Sequence, residues 1–220
     1  METHAYSELY LSHAMENLGV MMDAGINMYG VPAASFYRRF LNSGVAEQFG
    51  TGNPYYTVGH SGLELADMVI EQSGGGITPI SESYSSLGRR PEYWAGWVLA
   101  YYQWKTGRTF AELPEKGLDI VTVITLYHPL HEADPEKFHD VAEGIIANFT
   151  INSNPLKEAR EHSGMTQKEL SNASGVSLRM IRAYEQKQQD LSHAEFGTVL
   201  KLSKVLRTPI EKFVDIAQVK

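Results

Sequence analysis

The sequence predicts an all-α protein of two domains, and three observations carry that expectation. Apolar residues recur at steps of three and four along most of the chain, as in Leu11, Ala14, Met15, Leu18, Met22 and Ile26, which puts them on one helical face. Helix-start punctuation returns at intervals: a capping Ser, Thr, Asp or Asn, followed by Pro or by Glu three residues on. Charge divides at Asn154, with a net −10 over residues 1–154 and a net +3 over residues 155–220. The 220 residues suffice for two domains, since single domains cluster near ~100–150 residues. The division favoured is an acidic helical domain of residues 1–151 and a basic one of 154–216, joined by Asn152-Ser153-Asn154-Pro155.

In chain order, the first helix is expected from about Ser7 to Tyr29. Phe36, Phe40 and Leu41 mark a second behind Pro32, and Ser61-Gly62-Leu63-Glu64 opens a third as a capping box. Gly74-Gly75-Gly76 and the Ser-rich tract to Gly88 read as a loop. The stretch Pro91 to Trp104 is apolar nearly all round, so as a helix it should lie buried at the centre of its domain. Ile120, Val121, Ile124 and Tyr127 suggest a further helix closed by Pro129, although their β-branched content leaves a strand open. Asp134-Pro135 starts another, running to about Phe149.

Several chemistries are disfavoured. The absence of cysteine excludes disulfides, thiolate zinc sites and cysteine nucleophiles, and fits a cytoplasmic protein. No run reaches the ~18 apolar residues of a membrane span, and the N-terminus lacks a signal-peptide pattern. His128, His131, Glu132, Asp134 and His139 are the nearest approach to a metal cluster. None shows the His-Glu-x-x-His spacing and prolines interrupt the register, so neither metal nor cofactor is expected. Ser61 beside His60 reads as a cap rather than a nucleophile, Arg89-Arg90 as a solvated pair, and Tyr93, Trp94, Trp97, Tyr101, Tyr102 and Trp104 as core. Nothing names a reaction, so the protein is not expected to be an enzyme.

After Asn154 the punctuation is dense. Asn154-Pro155, the capping boxes Thr166 to Glu169 and Ser192 to Glu195, the cap Ser177, and Thr208-Pro209-Ile210-Glu211 predict helices over 155–162, 166–174, 177–186, 192–206 and 209–215. Each is too short to persist alone, so Leu156, Leu170, Ala173, Val176, Ile181, Leu202, Leu206 and Phe213 should bury together. Small Ala173 should let the second and third approach closely, and Gly175 supplies the left-handed turn between them.

Thr166-Gln167, Leu170, Gly175-Val176-Ser177, Ile181 and Glu185, with Arg160 as partner for that glutamate, closely resemble the Cro/repressor-type helix-turn-helix family. The resemblance implies a five-helix, lambda-repressor-like domain whose third helix enters the major groove of double-stranded DNA. It implies that Ser177, Leu178, Arg179, Arg182 and Ala183 read bases, that Gln167, Lys187 and Gln188 meet phosphates, and that Arg160 and Glu185 form a structural ion pair. Lys187 stands where the family usually has glycine, so that helix must end differently or Lys187 must tolerate strain. The expected function is a sequence-specific transcriptional regulator acting as a homodimer, with repression the favoured mode. The stretch Pro91 to Tyr102 resembles bacterial antitoxin-like regulators, which implies a toxin-like protein partner for the first domain. The competing classes are an enzyme or an interaction adaptor carrying a helix-turn-helix tail.

Overall fold

Fourteen α-helical segments and no strand make up the described part of the chain. The structure is a computed structural model and describes residues 4–80, 90–152 and 154–213, with residues 150–152 by backbone alone. It separates into two compact units, Met1–Thr150 and Ile151–Lys220.

In the first unit, α1 (Leu11–Asp23) continues into a wider turn, Ala24–Met28, where the Tyr29 amide donates to the Ala24 carbonyl. Then follow α2 (Ala33–Asn42), α3 (Gly44–Gly50), α4 (Pro54–Thr57) and α5 (Gly62–Gln72), the last opened by the Ser61/Glu64 capping box. Next come α6 (Pro91–Thr106), α7 (Glu112–Glu115), α8 (Ile120–Thr125), α9 (Tyr127–Leu130) and α10 (Pro135–Asn152). The apolar α6 is the centre of this unit and packs chiefly along α1. Gly96 permits that contact: a Cβ there would lie 2.4 Å from the Leu18 carbonyl oxygen. Trp94, Tyr102 and Trp104 are buried, and Trp97 and Tyr101 pack half-buried against the same core.

Two expectations for this unit change. Pro129 does not close a helix. It sits in the first turn of α9, where no amide donor is needed, and Leu126 separates α9 from α8. Arg90 is not a free surface cation, because its guanidinium lies 3.4 Å from the carboxylate of fully buried Asp23. Arg89 and most of the Ser-rich tract lie outside the described residues. No helix among the described residues is long and apolar enough to cross a membrane.

The second unit holds α11 (Pro155–His162), α12 (Gln167–Ser174), α13 (Leu178–Glu185) and α14 (Phe196–Leu206) around Leu156, Leu170, Val176, Ile181, Leu202, Leu206 and Phe213. Ala173 is exposed instead. Ser174, one turn beyond Leu170, takes the inner face, and its hydroxyl donates to the Leu170 carbonyl at 2.7 Å. The helix expected over 192–206 splits into a 3-10 turn, Leu191–His193, and α14. Asp190 caps that turn by accepting from the Ser192 amide, and extended Ala194 interrupts the helical path, so no Ser192/Glu195 box forms. The segment expected over 209–215 is a single 3-10 turn, Ile210–Lys212, within the described residues.

Candidate nucleic-acid interface

Local chemistry fixes the α12–α13 pair. Thr166 accepts from the Glu169 amide at 3.2 Å and the Glu169 carboxylate accepts from the Thr166 amide at 2.7 Å, so two of the four orphan amides at the start of α12 find partners. The Thr166 amide and the Thr166 hydroxyl, each donating to the Glu169 carboxylate at 2.7 Å, hold that carboxyl below its ordinary range. Gly175, at φ +68°, ends α12 in the left-handed region, and Ser177 caps α13 by accepting from the Met180 amide at 3.3 Å. Ile181 and Tyr184 then face the core, which turns Arg179 and Arg182 outward. Both are exposed, and neither has a partner among the described residues. With Ser177, Leu178, Met180, Ala183, Gln188 and Gln189 they line an open hollow of about 690 Å³.

The far end of α13 is held by three side chains. Arg160 grips Glu185 with two bonds, Nε to Oε1 at 2.6 Å and Nη2 to Oε2 at 3.0 Å, while its Nη1 donates to the Met165 carbonyl at 2.7 Å. The Glu185 side chain is only 3% exposed, and this bidentate bond pushes the Arg160 pKa upward. Gln167 Nε2 donates to Glu185 Oε2 at 2.8 Å. Asn154 Nδ2 donates to the carbonyls of Tyr184 and Glu185, at 2.8 and 3.1 Å.

A family model described as Helix-turn-helix matches residues 156–213. This segment is a helix-turn-helix domain. The helix-turn-helix domain marks the protein as a DNA-binding regulator of the Cro/repressor type. No curated protein and no solved structure matches the chain, and the resemblance noted at Pro91 to Tyr102 gains no support.

The structure brings Ser177, Leu178, Arg179, Arg182 and Ala183 to one face of α13, with Gln188 beside them. Lys187 adopts φ +55°, so of the two outcomes open at that position strain is the one found. Gln167 differs from its expected role in one respect: its amide is already oriented by Glu185, leaving one N–H for a phosphate. Gln189 joins the hollow although nothing in the sequence singled it out. The Asn154 contact spans 30 residues, and its only sequence signal was the cap pattern at α11.

Outside this domain, Glu136, His139 and Asp140 place donor atoms within 4.8 Å of one another, a grouping that shares only His139 with the cluster weighed from sequence. Glu136 is already taken by Lys105 and by the Tyr101 hydroxyl at 2.6 Å, which together hold its carboxyl below the ordinary range.

Proposed function

We propose that the protein is a sequence-specific transcriptional repressor that reads DNA through α13. The observation that carries this reading is the outward placement of two arginines, Arg179 and Arg182, unpartnered among the described residues, on a helix whose opposite face is locked into the core. In the major groove a guanidinium can donate to both O6 and N7 of guanine, and Arg179 is the residue we assign to that contact. Leu178 and Ala183 offer apolar contacts to thymine methyls, and Ser177 a hydroxyl. Gln167, Lys187 and Gln188 flank this strip and are assigned to phosphates. One such module offers few contacts, so we infer a homodimer reading half-sites one helical turn, ~34 Å, apart.

We assign the first unit to partner or effector binding rather than catalysis, in a cytoplasmic protein. Its net charge of −10 over residues 1–154 suits a basic protein partner, and a toxin-like product whose operon the protein represses fits that requirement. Selection of duplexes from a random pool, followed by titration of the selected duplex at two salt concentrations, tests the DNA reading. A selected motif and a log K that falls linearly with log salt are expected; no enrichment, or salt-independent binding, rejects it.

A further inference from the structure

The end of a DNA-reading helix must be fixed as firmly as its start, because its last residues determine where the following segment meets the duplex. Here that end lacks the usual device. No glycine takes the left-handed turn after α13; Lys187 adopts it at φ +55°. Four amides after the helix fold back on it: Gln186 to the Arg182 carbonyl, Lys187 to Tyr184, and both Gln188 and Gln189 to Ala183. Onto this strained turn Asn154 adds two bonds from a different part of the chain, at the Tyr184 and Glu185 carbonyls.

Asn154 can do this because its other face is already committed. Its Oδ1 accepts from the Lys157 amide at 2.9 Å as the cap of α11, and its own amide donates to Glu158 Oε1 at 3.2 Å. An amide nitrogen must meet the oxygen and two carbonyls must meet the nitrogen, so the network allows only this orientation of the carboxamide. Arg160 and Gln167 grip the Glu185 side chain, whereas Asn154 alone among these holds the backbone of the helix end. We propose that Asn154 is a positioning residue for DNA reading: the first cap of the domain is also the clamp that sets the end of α13, and with it Arg182, Gln188 and Gln189. This rests on the DNA-reading role proposed above.

The test uses the full chain and two probes, a duplex selected from a random pool and a random-sequence duplex of equal length. Asn154→Ser keeps a cap of equal quality and deletes both donors; binding to the selected duplex should fall about tenfold, with the random duplex within about twofold. Asn154→Asp keeps the cap but sets a carboxylate against two carbonyls, and should lose more. Ser203→Ala is the control: it removes the Ser203 to Thr208 carbonyl bond of 2.7 Å at the end of α14 and should leave both affinities within about twofold. The proposal is overturned if Asn154→Ser binds the selected duplex like wild type, if it loses both duplexes equally, or if Ser203→Ala loses as much. Hydrogen exchange of the Lys187 and Gln188 amides in the free protein tests the clamp without DNA. Faster exchange in Asn154→Ser is expected and unchanged exchange overturns it, so a wild type that selects no duplex would reject the DNA reading while leaving the clamp measurable.

Discussion

Replacing Glu185 by alanine removes the carboxylate shared by Arg160 and Gln167 and leaves a guanidinium whose side chain is 10% exposed. Deleting one partner of a buried pair costs roughly 3–5 kcal/mol, because the remaining charge stays desolvated. Arg160 keeps the Met165 carbonyl and the exposed Glu161 carboxylate at 3.3 Å, which places the loss at the lower end, about 3 kcal/mol. In a domain of this size each kcal/mol moves the midpoint by roughly 4–8 °C, so a drop of about 12–24 °C is expected. Calorimetry on the full chain measures it. The three tryptophans, Trp94, Trp97 and Trp104, all lie in the first unit, so tryptophan fluorescence should report an unchanged transition there. The paired replacement Arg160→Met with Glu185→Leu removes both charges and should recover most of the loss. A drop below about 4 °C for Glu185→Ala, or a double variant as damaged as the single one, would refute the assignment of this pair as a buried support.

Arg179→Ala should weaken binding to a selected duplex by about 5- to 150-fold and relax preference at one base pair; equal losses on every duplex would assign Arg179 to phosphate instead. Gly96→Ala should lower the first unit's stability by about 1–3 kcal/mol, read by tryptophan fluorescence, because the new methyl meets the Leu18 carbonyl oxygen and forces α1 and α6 apart; an unchanged midpoint contradicts that packing. Hydrogen bonding from Arg108 holds the Glu143 carboxyl below its ordinary range. The unfolded chain therefore binds more protons in acid, so this stabilisation is complete above the unfolded value near ~4.3 and is lost as pH falls through the depressed folded value. Glu143→Gln should flatten the acid limb of the first unit's stability, and a limb as steep as wild type's would remove Glu143 from the account.

The long helices were legible because spacing and caps are local. The apolar steps from Leu11 onward, the Ser61 box and the nearly all-apolar Pro91 to Trp104 run each located an observed helix. Segments of four to seven residues, such as α3, α4 and α7, are too short for periodicity to register. In the second unit, Asn154, Thr166 and Ser177 act as caps, while Ser192 does not, because Asp190 starts a 3-10 turn one step earlier and extended Ala194 then breaks the helical path. The placement of Ala173 failed on helical phase: one residue's rotation carries it from the inner face to solvent, and Ser174 replaces it. What no local pattern encodes is contact across distance. The Asn154 clamp and the approach of Gly96 to Leu18 both depend on how elements pack, and each residue looked ordinary in its own neighbourhood.

Arg179 and Arg182 take no part in supporting the fold, since neither touches another described side chain through charge or hydrogen bond. Exchange at these two positions is therefore cheap for the scaffold. On the proposed reading of DNA through α13, single substitutions there would redirect the domain to another duplex sequence, while Ile181, Tyr184 and Glu185 keep the architecture unchanged beneath them.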